Sequence, residues 1–214
     1  MNGQTPDSVT SVLMFPLILI DQHQASHHLR LEAQFWGNPD PDSGDVAGLD
    51  LHLIYQDGSL ATLLEATPTL WRAQCDYPIE GGDEGHVEIG LPRRELPPLL
   101  VGRGLGTLMQ SMLVAWVLEQ PCAPLGQLTL AGEDATSEAA IERRWRFWTS
   151  FGIAFTDSQD STHKVSVPMS SWALKTPLMP SFHREGWQLS IPEDLKDVFG
   201  LTHSTRNSSS TAVS

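Results

Sequence analysis

A glycine-rich stretch separates two kinds of hydrophobic pattern in this chain of 214 residues. Before it, the segment HVEIGL (86–91) alternates, so its apolar side chains share one side of an extended strand. The glycines at 102, 104 and 106 follow, and the pattern predicts that they form a turn that enters a helix. The apolar residues of that helix recur at steps of three and four: Leu105, Leu108, Met109, Met112, Leu113, Trp116 and Val117.

The remaining patterns predict an α/β fold with a mixed, mostly antiparallel, splayed sheet flanked by helices. Pro16 lies inside an apolar run and indicates a bulge or an edge strand, and Asp57-Gly58 indicates a hairpin turn between two runs within 49–66. The segments that read as strands are 11–21, 27–37, the two runs of 49–66, 86–91, 125–131, 153–155 and 163–169.

Two further segments have helical patterns. The first runs from about Ser137 to Phe151, with Asp134 or Thr136 as a suitable N-cap and Gly152 as a stop. The second is the short stretch PEDLKDVF (192–199). We expect one domain over 1–176 with an atypical N-terminal part (1–47), a C-terminal extension (177–202), and a Ser/Thr-rich disordered tail (203–214).

A strand, a glycine turn and a helix form an arrangement that can bind an anion, because the first helical turn has free N–H groups. Spacing excludes two familiar phosphate loops. A Walker loop requires Lys and then Ser or Thr after its last glycine, where this chain has Thr107 and Leu108. A dinucleotide-binding loop requires a third glycine three places after the second, and here they are two apart.

The loop resembles that of the GNAT-type N-acetyltransferases, whose pattern is Gln/Arg-x-x-Gly-x-Gly/Ala between the fourth strand and a helix. The pattern maps onto residues 101–106, with Val101 at the Gln/Arg position. The elements that follow are similar too, and the likeness covers roughly residues 48–170. It implies that acetyl-coenzyme A is the co-substrate and that its pyrophosphate is held by the loop, with Arg103 as a side-chain contact. The implied binding residues are Gly102, Arg103, Gly104, Leu105, Gly106, Thr107 and, on the second helix, Trp148.

Acetyl transfer requires a base for the amine and an acid for the thiolate. In the resembled family a strand carboxylate commonly acts as base, and the corresponding strand offers Glu88, with His86 on the same face. The family's acid is commonly a tyrosine in the last helix, where this chain has Trp148. An indole N–H cannot fill that role, so Trp148 forms either a wall of the cofactor channel or part of the core. The chain's two tyrosines, Tyr55 and Tyr77, lie far upstream.

The sequence ERRWRFW (142–148) interleaves arginines with aromatic residues. Two interpretations stay open: a solvated helix face, or a contact with the phosphate groups of coenzyme A. The three histidines 23, 27 and 28 have no carboxylate or cysteine that completes a metal site, so no metal is expected.

The amino-acid composition limits the kinds of partner that the protein can bind. The formal net charge is −13 and the pI about 4.8, which argues against nucleic acid and fits either a cationic substrate or simple solubility. Cys75 and Cys122 show neither metal spacing nor a disulfide framework. No apolar run is long enough to span a bilayer, and no basic region precedes the N-terminal apolar stretch, so we expect no membrane partner and a cytoplasmic location. The run SVLMFPLILI (11–20) is compatible with a core strand or with the contact of a homodimer.

The leading functional prediction is an acyl-coenzyme A-dependent N-acetyltransferase that acts on an amine of a small molecule or a protein. The alternative is a GNAT-like module that binds or interacts without catalysis. A third class, an acidic interaction protein unrelated to acyl transfer, also stays open, because the N-terminal third does not match the family.

Overall fold

The fold is given by a computed structural model that describes residues 9–40, 42, 44–55, 69–78, 84–90, 96, 100–121, 123–130, 138–156, 164–176, 183–184 and 186–201. In these residues the chain forms nine strands, three α-helices and one 3₁₀ turn, Ser171–Ala173. The strands are β1 Val9–Ile20, β2 Ser26–Gly37, β3 Val46–Tyr55, β4 Thr69–Asp76, β5 His86–Ile89, β6 Thr129–Leu130, β7 Lys164–Val165, β8 His183–Arg184 and β9 Trp187–Ser190. The helices are α1 Leu105–Leu118, α2 Glu138–Ser150 and α3 Glu193–Val198.

Seven strands form one antiparallel sheet in the order β5-β4-β3-β2-β1-β9-β8. The first five strands pair with their sequence neighbours, and their register aligns apolar residues across the sheet. Leu31, for example, lies opposite Phe15 on one side and opposite Leu53 on the other. Because side chains alternate along each strand, this register gathers the apolar residues of five strands on one face.

Helix α1 covers that apolar face, where it contacts β3 and β4. Leu51 and Ala73 of the sheet and Leu108 and Met112 of the helix are all completely buried. On the opposite face, Asp50 is buried beside Arg72 and Trp36, whereas Val12 and Met14 of β1 are exposed. The core therefore lies between one sheet face and α1.

A second, two-stranded sheet of β6 and β7 adjoins the end of the large sheet. Among the described residues, a parallel bridge joins Val87 of β5 to Leu125, which precedes β6 in the chain. There the N–H of Val87 donates to Pro124 O at 2.9 Å, and the N–H of Gly126 donates to Val87 O at 2.7 Å. Strand β5, helix α1 and the segment at Leu125 thus form a strand–helix–strand unit.

The α/β class and the mostly antiparallel sheet predicted from the sequence are confirmed. The first of the two runs predicted within 49–66 lies in β3, which pairs with β4 at Thr69–Asp76, and the second run lies outside the described residues. The sequence signal for β4 is its own alternation, with Trp71, Ala73 and Cys75 buried. The hairpin turn predicted at Asp57-Gly58 lies outside the described residues.

The sheet also includes the two segments that the sequence analysis separated from the rest of the domain, the N-terminal part and the C-terminal extension. Strands β1 and β2 come from the N-terminal part (1–47), and β9 of the C-terminal extension pairs with β1 over Ile18–Ile20. Pro16 lies just before that paired stretch, where no described strand lies against the outer side of β1. This agrees with the edge position that a proline in a strand predicts.

The predicted end of α2 is confirmed at Gly152, whose φ of 86° requires a residue without a Cβ. The candidate N-caps Asp134 and Thr136, and the Ser/Thr-rich tail, lie outside the described residues. Among the helices of the described residues, none has both the length and the apolar character needed to cross a membrane.

Candidate functional site

The glycine loop opens directly into the N-terminus of α1. Gly104 is the N-cap residue, with a φ of 87° in the left-handed region, and no side chain caps the helix. The first helical hydrogen bond is donated by Leu108 to Gly104 O at 2.9 Å. The N–H groups of Leu105, Gly106 and Thr107 therefore have no acceptor within the helix, and the helix dipole adds partial positive charge at the same place.

A cavity of about 760 Å³ lies between this loop and helix α2. The loop side is formed by Val101, Gly102, Gly104, Gly106 and Thr107, together with Leu96. The α2 side is formed by Ala139, Glu142, Arg143, Arg144, Arg146, Phe147 and Ser150. Its volume is in the range typical of small-molecule and cofactor sites.

The residues that line the cavity include three arginines and one glutamate, in a chain whose net charge is −13. The glutamate, Glu142, forms an ion pair with Arg146 one turn along the helix. Arg143 and Arg146 are exposed and Arg144 is half-buried. Local positive charge and open helix N–H groups face the same space, which is the chemistry that binds a phosphate or pyrophosphate.

The cavity brings together most of the loop residues predicted from the sequence. Gly102, Gly104, Gly106 and Thr107 all line it. Leu105 is completely buried beneath the loop, so only its main chain is available to a ligand. Arg103 is not among the lining residues, because its guanidinium lies over the Trp187 ring, 4.9 Å from the ring centroid. Its predicted contact with phosphate stays a prediction.

Trp148 is 2% exposed and packs against Phe147 in the core, with ring centroids 5.3 Å apart. Of the two interpretations of Trp148, the structure places it in the core and not on the cavity wall. The aromatic residue that does line the cavity is Phe147, which the sequence analysis missed. The signal for the missed residues is helical spacing, because positions 139, 143, 146, 147 and 150 fall on one face.

The two residues predicted as candidates for the catalytic base, Glu88 and His86, lie away from the cavity. Val87 and Ile89 are buried, whereas Glu88 and His86 share the other face of β5 as predicted, with side chains 58% and 41% exposed. Glu88 Oε1 lies 3.6 Å from His86 Nε2. Neither residue is among those that line the cavity. The two groups are thus next to one another, on the far side of the strand from the core.

In the described part of the chain, no group of three or more His, Cys, Asp or Glu side chains has a geometry suited to a metal ion. His27, one of the three histidines considered, instead bonds to Tyr55 and Asp21.

Comparison with known proteins gave no match to this chain: no protein-family model, no curated protein and no solved structure corresponds to it. Its function is therefore argued from the site alone.

Proposed function

We propose that the protein binds an acyl-coenzyme A in the cavity between the glycine loop and α2, and transfers the acyl group to an amine. The observation that carries the proposal is the uncapped N-terminus of α1, which opens into a space lined on its other side by three arginines. In this proposal the N–H groups of Leu105, Gly106 and Thr107 hold the pyrophosphate, and the α2 arginines neutralise the remaining phosphate charge. The N–H of Arg103 is not available, because it donates to Leu100 O.

The fold supports the same proposal. GNAT-type enzymes have a mostly antiparallel sheet that splays at its centre, with the pyrophosphate loop after the strand next to the splay. Here β5 precedes the loop, and in the described part of the chain a parallel bridge joins its Val87 to Leu125, which precedes β6. Pantetheine would run along the strand edges beside that bridge.

Titration calorimetry with acetyl-coenzyme A and with coenzyme A tests the binding step. Arg143→Gln/Arg146→Gln should raise the Kd for both ligands about tenfold, because two cations at the cavity are lost. The matched control is Lys196→Gln on α3, which removes a cation that does not line the cavity and should leave the Kd unchanged. No heat above background for wild type with either ligand would overturn the proposal.

Gly106 allows a second test of the same pocket. A Cβ built at this position would meet only Leu96 Cδ1, at 4.0 Å, so alanine fits without a clash. A longer side chain would extend into the cavity that Gly106 lines. Gly106→Ala should therefore bind coenzyme A within about threefold of wild type, and Gly106→Leu at least about tenfold more weakly. Equal affinity of the two variants would place the ligand elsewhere.

Catalysis is tested separately from binding. If Glu88 is the base, Glu88→Gln should lower turnover at pH 7 by about 10²-fold while the Kd for coenzyme A stays near wild type. The alternative function, a module that binds the coenzyme without catalysis, is favoured by two placements: Trp148 is in the core, and Glu88 does not line the cavity. Binding without product across a panel of amines would select the alternative.

A further inference from the structure

The glycine loop is attached to the far end of the sheet through one aromatic residue. The guanidinium carbon of Arg103 lies 4.9 Å from the centroid of the Trp187 ring, a distance at which a cation and a π face attract. Trp187 is 6% exposed and Arg103 is half-buried. Arg103 thus joins the loop to β9, which is more than eighty positions away in the sequence.

Trp187 is itself held by a buried polar network. Its ring stacks with the imidazole of His27, with centroids 5.9 Å apart and planes inclined by 21°. His27 is 8% exposed, and both of its ring nitrogens have partners. Nδ1 lies 2.9 Å from the Tyr55 hydroxyl, and Nε2 lies 3.2 Å from Asp21 Oδ2.

The carboxylate at the end of this network is fixed by the main chain. Asp21 Oδ1 accepts hydrogen bonds from the N–H groups of His23 at 2.8 Å and Ala25 at 2.9 Å, within the turn between β1 and β2. Asp21, His27 and Trp187 can rotate little, because each is bonded or stacked on two sides. A rigid network under a loop can fix the loop's geometry.

Sheet register explains why these residues meet. Ile20 of β1 lies opposite Gln188 of β9, so Asp21 and Trp187 are adjacent at the same end of the two strands. His27 is at the start of β2, beside that end, and Tyr55 is the last residue of β3. The C-terminal strand is therefore what brings an aromatic ring under Arg103.

We infer that Trp187 is a positioning residue for the glycine loop, and that the Asp21–His27–Tyr55 network keeps it in place. Arg103 then serves to anchor the loop, while the cavity is formed by its neighbours. The effect of this anchor on coenzyme affinity rests on the proposed function, but the anchor itself does not. The anchor is tested by protease digestion without ligand, and its effect on coenzyme affinity is tested by calorimetry with ligand.

Limited trypsin digestion, with mass detection of residues 1–103 and 104–214, measures the anchor without ligand. Trypsin cuts after Arg103 only when its side chain leaves Trp187 and enters the protease. Trp187→Leu should increase the rate of this cut at least about fivefold, and Trp187→Phe, which keeps a π face, should give a smaller increase. Cleavage after Arg72, inside β4, reports global unfolding and is the internal reference. The matched control is Trp172→Leu, which changes a tryptophan that is 62% exposed and should leave the rate as in wild type.

Should Trp187→Leu fail to fold by circular dichroism, the comparison of Trp187→Phe with wild type decides. An unchanged ratio of cleavage after Arg103 to cleavage after Arg72 in the folded variants would overturn the inference.

Calorimetry with coenzyme A completes the test through a double-mutant cycle. Arg103→Gln and Trp187→Leu should each raise the Kd about three- to tenfold, and together no more than the larger single effect, because both break the same contact. Additive effects would show that Trp187 acts only on overall stability, and would overturn its role as a positioning residue. If wild type binds no coenzyme A, the proposed function fails, whereas the digestion still tests the anchor.

Discussion

Replacing Asp50 by alanine should destabilise the protein by about 3 kcal/mol. The Asp50 side chain is 9% exposed and accepts two hydrogen bonds from Arg72, at 2.6 Å from Nε and 2.5 Å from Nη2. A third comes from Trp36 Nε1 at 3.2 Å. The hydrogen bonds to Asp50 also raise the pKa of Arg72. In Asp50→Ala the guanidinium still stays charged, because the ordinary pKa of an arginine lies far above neutral pH.

The expected loss of stability follows from the groups that are left unpaired when Asp50 is removed. Breaking a buried ion pair from one side costs about 3–5 kcal/mol, and the Arg72 side chain, which is 30% exposed, gains enough water to bring the cost to the lower end. The unpaired Trp36 N–H adds up to about 1 kcal/mol. For a chain of this size, about 3 kcal/mol corresponds to a fall in Tm of about 6–12 °C.

Urea unfolding followed by tryptophan fluorescence measures this loss, with an unchanged m-value as the sign that only stability has changed. The matched control is Glu193→Ala, which breaks the exposed ion pair with Lys196 and should change stability little. Asp50→Leu/Arg72→Leu removes both charges and should recover most of the loss. A loss below about 1 kcal/mol for Asp50→Ala would show that the pair is not effectively buried, and would refute the reasoning.

Three further predictions follow from single residues. Gly104→Ala should cost about 1–2 kcal/mol in thermal unfolding, because the N-cap φ of 87° is strained for any residue with a Cβ; an unchanged Tm would contradict this. Burial raises the pKa of the Cys75 thiol to about 11, so in a Cys122→Ser background a thiol reagent should not react at pH 8 until the protein is denatured. The N–H of Ala25, above all, holds the pKa of Asp21 below its ordinary value. Because folding lowers this pKa, ionised Asp21 stabilises the fold above about pH 4, and this stabilisation is lost as the pH falls further. The Tm difference between wild type and Asp21→Asn should therefore shrink in acid, and a constant difference would exclude the effect.

The elements of this fold were predictable where one local pattern determines them. The period changes from two to about 3.6 at Gly104, and α1 begins at the next residue, Leu105. The alternation of HVEI determined β5 in the same way, with Val87 and Ile89 buried. Strand β4 was missed although its buried residues, Trp71, Ala73 and Cys75, alternate with Arg72 and Gln74. Its pairing with β3 is long-range information that a single segment does not contain.

For the same reason, one wall of the candidate site was predictable from the sequence and the other was not. The loop amides come from contiguous residues, so their convergence at a helix N-terminus could be inferred from the glycine spacing alone. The opposite wall comes from α2, and its approach to the loop depends on how two distant elements pack. The arginines 143, 144 and 146 were therefore noticed in the sequence but could not be assigned to the cavity. The contact of Arg103 with Trp187 could not be predicted either, because the pairing of β9 with β1 brings Trp187 to it.

The placement of Glu88 sets a geometric condition on acyl transfer. Val87 and Glu88 are adjacent on β5, so their side chains lie on opposite faces, with Val87 buried towards the core and Glu88 exposed. The cavity opens at the N-terminus of α1, the helix that covers the core face. For Glu88 to act as the proposed base, a thioester whose phosphates lie in the cavity must therefore extend from the core side of β5 to its exposed face. The proposed coenzyme binding and the proposed base catalysis by Glu88 are compatible only if the acyl end of the ligand reaches that face.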